Sequence, residues 1–302
     1  MFNNIAVIGG SGFIGGNTVR ELINRGFNVT VLDIVQPWVS GVRYRYCDIR
    51  NNDSVDAELS CNGYDAVYCL AGIIFAKDCS GDPTNAFNTN ILGLKNVLDA
   101  CVKYKVSRFL FSSTVHTYEN CDPAYSIVDE TTPISTEICT NLYITSKIIG
   151  EQLVRSYHAE FGLPYTIFRY GVAYGVGGHK NNVIHTFLNN ITNGIPIKIY
   201  GDGSDVRNYL YVNDHAHGNV LGLSDRCKNE VVNLDSDETI SIISLVNLIK
   251  EITNKDPVIE YANARKNDYN GRVVNCDKAS RILNWKPEIT LRGGIEMMYS
   301  SI

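Results

Sequence analysis

The segment IAVIGGSGFIGG, residues 5–16, constrains the fold more than any other stretch of the chain. A short apolar run meets a glycine-rich turn, and the turn opens directly into the amphipathic pattern FIGGNTVRELIN. Strand, glycine loop and helix in that order are the context in which a glycine spacing carries meaning. Two spacings overlap here: Gly10, Gly12 and Gly15 spell GxGxxG, while Gly9, Gly12 and Gly15 spell GxxGxxG. Either one lets the backbone approach a pyrophosphate, with the free N–H groups of a helix beginning at Phe13 and Ile14 facing it. A dinucleotide ligand is the expectation.

The rest of the N-terminal half repeats the alternation. Ile5–Ile8 and Asn28–Leu32 read as strands around the helix Phe13–Asn24. Strand-like Ala66–Leu70, a helix across Asn90–Tyr104, strand-like Arg108–Phe111, the helix Leu142–Phe161 and strand-like Tyr165–Arg169 follow. Such alternation predicts an α/β fold with a doubly wound parallel sheet of Rossmann type and helices on both faces. From about Val183 the pattern loosens into Gly- and Asn-rich segments such as NNITNGIPIKIYGDGSD. The expected division is a dinucleotide-binding domain over 1–170, with a segment returning to it near 208–235, and a smaller substrate-binding lobe from the rest of 171–302.

Composition removes several classes of function. A net charge of −5 with scattered Lys and Arg gives no footprint for nucleic acid. No apolar run is long enough to span a membrane. The start MFNN leads into IAVIGG without a basic region or cleavage site, so no signal peptide is expected. The 9 cysteines form no CxxC pair, which fits reduced thiols in a cytoplasmic protein better than a zinc site or a disulfide framework. His215 and His217 in NDHAHGN imitate a metal pair, but they fall at an expected helix start beside the core, and no metal is expected.

Individual residues then narrow the chemistry. Asp33 closes the second strand, VTVLD, about twenty residues beyond the loop; a carboxylate there binds ribose hydroxyls and repels a 2′-phosphate, favouring NAD over NADP. Asp48, with Ile49 beside it, is a candidate for the adenine pocket. Tyr143 and Lys147 in YITSK stand four apart, on one face of a helix. A phenol has an ordinary pKa of about 10. A nearby ammonium, together with the positive nicotinamide of NAD⁺, favours the phenolate, which makes Tyr143 a candidate acid–base and Lys147 its partner.

These pieces occur in one chain in order: GGSGFIG, Asp33, LAG at 70–72, NILGLKNVLDAC at 90–101, FLFSSTVHTY at 109–118, YITSK at 143–147, GDGSDVRNYLYVND at 201–214 and ILNWKP at 282–287. Together they resemble the extended short-chain dehydrogenases/reductases of the NAD-dependent nucleotide-sugar epimerase/dehydratase family. The resemblance covers almost the whole chain. It implies that Leu70, Ala71, Gly72, Asn90 and Ser112 border the cofactor, and that Lys147 holds the nicotinamide ribose. It further implies that Thr114 hydrogen-bonds the reacting sugar oxygen, that Arg207 and Arg272 meet a nucleotide diphosphate, and that Asp214 supports structure. A homodimer formed through the helices near 90–104 and 142–161 is also implied.

Three departures bear on the reaction. The 4,6-dehydratases of the family carry Asp-Glu directly after the catalytic Ser/Thr, whereas Val115 and His116 follow Thr114 here. Valine transfers no proton, so dehydration by that route is not expected; His116 is placed to touch substrate. Val172 replaces an Asn that often contacts the sugar nucleotide, and Glu119 stands where Gly is usual. The expected activity is NAD-dependent oxidoreduction at C4 of a nucleotide-linked sugar, most simply 4-epimerisation through a 4-keto intermediate. The alternatives are a C4 dehydrogenase or ketoreductase of a hexose or heptose and, more remotely, a non-catalytic dinucleotide-binding scaffold.

Overall fold

The computed structural model describes residues 2–178, 182–264 and 272–302. Seven strands form the central sheet: β1 (Asn4–Ile8), β2 (Asn28–Asp33), β3 (Arg43–Tyr46), β4 (Ala66–Cys69), β5 (Arg108–Thr114), β6 (Tyr165–Tyr170) and β7 (Glu230–Leu234). Their order is β7-β6-β5-β4-β1-β2-β3, and every pairing is parallel. Parallel neighbours require crossovers that cover both faces. Accordingly β4, β5 and β6 are buried at every residue, including the polar Arg108, Ser112, Ser113, Thr114, Thr166 and Arg169.

Successive side chains alternate between two apolar layers. On one face Ile8, Val67, Phe109 and Ile167 meet Leu94, Val97 and Leu98 of helix α2 (Leu94–Lys103) and Val154 of helix α3 (Leu142–Phe161). On the other, Ile5, Val7, Tyr68 and Phe168 meet Val19 and Leu22 of an earlier helix, Phe13–Asn24, together with Val220 and Trp285. A third apolar cluster, around Tyr174, Ile184, Leu245 and Ile295, lies in the later part of the chain. Helices there are capped by Asn182, Ser241 and Thr290, each accepting a backbone N–H two or three residues on. Caps of this kind stabilise by about 1 kcal/mol each.

Several elements differ from the sequence expectation. RYRY at 43–46 is a strand, but an exposed, arginine-bearing edge strand, so it lacks an apolar signature. The helix expected from Asn90 opens as a π-helical turn over Asn88–Gly93 before α2 begins. β5 runs three residues beyond Phe111, which carries Thr114 to the end of a fully buried strand. The loosened region from Val183 contains an ordered helix, Val183–Asn193.

Chain order reverses between β1 and β4, so the loops leaving their C-terminal ends diverge and open a crevice. The functional residues gather there. No helix among the described residues is long and apolar enough to cross a membrane.

Candidate active site

A cavity of about 730 Å³ runs across that crevice, within the size range of small-molecule sites. Its floor at one end is the glycine loop. Gly9 has φ +81°, and a Cβ there would lie 2.4 Å from the Ala71 nitrogen. A Cβ on Gly15 would lie 2.0 Å from the Gly9 carbonyl oxygen. Gly10 has ordinary φ, and its nearest neighbours include only the movable methyls of Val31 besides the Val7 carbonyl, all at 3.0 Å. Gly9, Gly12 and Gly15 are thus the spacing that closes this turn. Gly12 caps the Phe13–Asn24 helix without a side-chain bond to its first-turn N–H groups, leaving the arrangement a pyrophosphate requires. Phe13 and Ile14 line the cavity above it.

Asp33 stands at the end of β2 and accepts from the Ser11 N–H at 3.0 Å and the Val35 N–H at 3.2 Å. It therefore ties the glycine loop to the rim while lining the cavity. Beyond it lie Asp48 and Ile49. Arg50 clamps Asp48 through Nε–Oδ1 (2.9 Å) and Nη2–Oδ2 (2.7 Å), holding the carboxyl below its usual range, and also donates to Asn85 at 2.9 Å. Arg50 and Asn85 both line the cavity and were not found from the sequence; only their proximity in space marks them.

Leu70, Ala71 and Gly72 form the wall where β4 ends. Asn90, expected at the cofactor, lies behind that wall and is absent from the lining among the described residues. Its amide holds Ile73 by both backbone groups, at 2.8 and 2.9 Å, and donates to the Ser146 hydroxyl at 3.0 Å. It fastens the loop after β4 to α3. That loop supplies an apolar wall, Ile73, Ile74 and Phe75, which no motif announced.

At the far end α3 begins at Leu142, with Asn141 accepting the Ile144 N–H at 3.0 Å. One turn apart on it, Tyr143 and Lys147 both line the cavity. Lys147 is 4 % exposed and donates to the Ser112 carbonyl at 2.8 Å; burial pushes it down to about 8. Burial pushes the Tyr143 phenol up to about 12, opposed by a hydrogen bond with Thr114. Without the cofactor, desolvation dominates at Tyr143, the Lys147 ammonium is engaged with the Ser112 carbonyl, and the group that opposes the shift is Thr114.

Thr114, at the end of β5, accepts the His116 N–H at 3.2 Å as the cap of a tight turn over Val115–Asn120. With an oxygen lone pair used that way, its O–H proton remains available to Tyr143 or to a substrate oxygen. Ser112 donates to the Cys69 carbonyl at 3.1 Å, a strand-end role, while its carbonyl receives Lys147. Ser113 donates at 2.6 Å to Glu151, which Arg169 pairs through two bonds of 2.9 and 2.8 Å. A buried ion pair thus braces the strand end beneath Thr114.

His116 lines the cavity, and its Nδ1 lies 2.7 Å from Glu119 Oε1. Val172 lines it too. Arg207 and Arg272 are not among the described residues of the lining. Arg207 donates to the Val206 carbonyl at 2.8 Å. Arg272 donates to the carbonyls of Asp122 (2.9 Å) and Tyr125 (2.8 Å), so it clasps the 121–125 loop. His215 is fully buried, edge-on to the Tyr170 ring with centroids 5.2 Å apart, and belongs to the core.

Known proteins share this fold. A sequence model of the NAD dependent epimerase/dehydratase family matches residues 5–234. A protein of Methanocaldococcus jannaschii that carries the provisional name UDP-glucose 4-epimerase is 31 % identical, over 97 % of this chain and 96 % of its own. The structure of UDP-glucose 4-epimerase from Thermotoga maritima with UDP-glucose superposes with a TM-score of 0.91 at 29 % identity, covering 98 % of this chain and 97 % of that one. The Thermus thermophilus UDP-glucose 4-epimerase in complex with NAD gives 0.90 at 27 % identity, covering 98 % of both chains. With the glycine cradle, Asp33 and the Tyr–Lys turn lining one cavity and the family model matching residues 5–234, the chain belongs to the NAD-dependent epimerase/dehydratase family of enzymes.

Proposed function

We propose that this enzyme interconverts C4 epimers of a nucleotide-diphosphate sugar, with a UDP-sugar as the first candidate. The observation that carries the reading is the gathering of Thr114, Tyr143 and Lys147 at one end of a cavity whose other end is the glycine cradle. The donor set suits the cofactor: glycines that admit a pyrophosphate, an uncapped helix start, and Asp33 at the ribose position. NAD, when bound, supplies the acceptor and then the donor of the C4 hydride and adds a positive charge beside Tyr143.

That charge opposes the desolvation that holds the phenol near about 12, so the phenolate becomes accessible in the loaded enzyme. Tyr143 takes the C4 hydroxyl proton as the hydride leaves C4, giving a 4-keto sugar. Thr114 donates to the same oxygen and steadies the charge that develops on it. Lys147, anchored on Ser112, holds the nicotinamide ribose and keeps Tyr143 oriented. Tyr143 returns the proton when hydride reaches the opposite face of the sugar. Val115, next to Thr114, offers no acid for expelling water, which favours epimerisation over dehydration.

Beyond the reaction centre we assign the sugar nucleotide to the lobe built from 171–302 outside the returning strand β7, with Val172 and the 73–75 wall against it. Arg207 and Arg272 are assigned to that lobe's architecture. Leu92, Ile149 and Phe161 are exposed on the 88–93 turn and α3, and are the apolar groups through which a homodimer would form. We assign the enzyme a cytoplasmic role in carbohydrate biosynthesis, which the substrate class supports.

The test has two readings. Protein denatured by heat releases its nucleotide for chromatography with absorbance detection, and NAD or NADH near stoichiometry is expected; NADP(H) would overturn the role given to Asp33. UDP-glucose or UDP-glucuronic acid incubated with the enzyme should yield the C4 epimer without added cofactor. A net, stoichiometric consumption of NAD(H) with no epimer would instead identify a C4 dehydrogenase or ketoreductase.

A further inference from the structure

Strands β5, β6 and β7 end at one level of the sheet, with Thr114 opposite Tyr170 and Tyr170 opposite Leu234. Gly171 and Asp235 are the next residues along β6 and β7. Gly171 lines the cavity together with Thr114 and Tyr143. It has no side chain, and the Asp235 carboxyl stands where one would be: a Cβ there would lie 2.0 Å from Oδ1 and 2.4 Å from Cγ. Asp235 is 3 % exposed, so a buried acid backs directly onto a wall residue of the cavity.

The bonding of this acid is incomplete. Oδ1 accepts the Ser236 N–H at 2.8 Å, and among the described residues Oδ2 takes no hydrogen bond. Burial pushes the carboxyl up to about 7, opposed by the Ser236 N–H and by the field of His116, which lines the cavity. An asparagine would keep the Ser236 bond without the cost of a buried charge, so the turn alone does not account for an acid here.

Neighbouring charges do not offset it. His116 Nδ1 lies 2.7 Å from Glu119, whose carboxylate is largely buried. With Glu119 ionised, an imidazolium at His116 only cancels it, and an ionised Asp235 leaves the group negative. The other cations of the described lining are engaged elsewhere. Arg50 clamps Asp48, Lys147 is held on the Ser112 carbonyl, and His185 stands with Phe13 against Gly178.

A sugar whose O4 sits between Thr114 and Tyr143 brings the substituents of its neighbouring carbons toward this part of the wall. We propose that Asp235, through its charge behind Gly171, is a specificity-determining residue that excludes sugars bearing a carboxylate. The substrate class is then a nucleotide-diphosphate hexose with uncharged substituents, in preference to a uronic acid. Such discrimination penalises the wrong ligand: like charges brought together in a poorly solvated site repel, whereas a hydroxymethyl group meets no such cost. The inference rests on the C4 reading above and narrows it.

Three substrates separate charge from shape: UDP-glucose, UDP-glucuronic acid and the primary amide of that acid, which nearly matches the carboxylate in size and carries no charge. With wild-type enzyme at pH 8.5, where Asp235 is ionised, kcat/KM for the acid should be at least about tenfold below that for UDP-glucose and for the amide. Asp235→Asn, which keeps an oxygen for the Ser236 N–H, should raise the acid-to-glucose ratio of kcat/KM by about tenfold. Acid used as well as UDP-glucose by the wild type overturns the inference and leaves the C4 reading intact. Rejection of the amide along with the acid shows that shape decides, and overturns it too. A ratio unmoved in Asp235→Asn that melts like the wild type takes the role away from Asp235; if that variant does not fold, the amide comparison in the wild type still decides. If none of the three gives an epimer or enzyme-bound NADH, the C4 reading fails and this inference fails with it.

Discussion

The glycine-loop end of the cavity and the rest of its wall are built on different principles. At the glycine loop the constraint is backbone geometry: Gly9 and Gly15 sit where a single added carbon would strike another main chain, and Asp33 grips two N–H groups. Elsewhere along the wall the constraint is side-chain identity on loops and turns: Ile73, Ile74, Phe75, His116 and Val172. A backbone cradle accepts one ligand class and tolerates little change. A wall of loop side chains can be rewritten without disturbing the sheet, which is how one fold hosts many substrates.

Mutations can break or sharpen this contrast. The largest effect is expected from Tyr143→Phe, which removes the proton-transfer atom and leaves the ring. Turnover should fall by about 10²–10⁴, the range for general acid–base catalysis, with the released-nucleotide assay still finding NAD. Gly9→Ala should do the reverse. Its Cβ meets the Ala71 backbone at 2.4 Å in a left-handed conformation, so nucleotide content should drop at least tenfold and the melting temperature should fall.

The next effect is on pH dependence. Lys147 is pushed down to about 8 from an ordinary 10.5, so between those values the unfolded chain binds more protons than the folded one. Stability from this group must then rise with pH through that window, by about 3 kcal/mol. Buried thiols such as Cys69, pushed up to about 12, slope the other way above pH 9, so the informative quantity is a difference. Melting of nucleotide-free wild type minus Lys147→Met should increase from pH 7.5 to 9.5; a flat difference would refute a buried, readily neutralised lysine. The smallest effect is expected from Arg272→Ala. Loss of a clasp on the 121–125 carbonyls should cost about 1–2 kcal/mol in stability, while KM for the sugar nucleotide moves less than about threefold. A tenfold rise in KM with unchanged melting would return Arg272 to the diphosphate.

The same contrast explains what could be read from the sequence. β4 and the centres of β5 and β6 (Phe109–Phe111, Ile167–Phe168) are apolar because both faces of these strands are covered, and the glycine spacing is forced by contacts between backbones; both leave local marks in the sequence. Tyr143 and Lys147 were legible because helical spacing alone brings them together. Arg50 and Asn85 were not: they meet across two intervening helices and a strand, and nothing in DIRN or DPTNAF marks either as facing a ligand. Asn90 misled for a related reason, since an amide that fastens a binding loop from behind occupies the same sequence neighbourhood as one that touches the ligand. The edge strand RYRY lacked a signal because an edge is protected by charge, not by apolar burial.

The return of β7 to the sheet has a consequence for synthesis. β6 bonds β5 on one side and β7 on the other, yet β7 lies beyond the Val183–Asn193 helix and the strand Val206–Tyr211. While the ribosome is still producing the second lobe, β6 presents a row of unsatisfied backbone groups on an apolar strand, the kind of edge that recruits stray chains. The sheet can close only once Leu234 has emerged, so any nascent chain stopped between Tyr170 and Glu230 would be a natural client for chaperones, and the molecule cannot be split at a single bond into two self-sufficient halves.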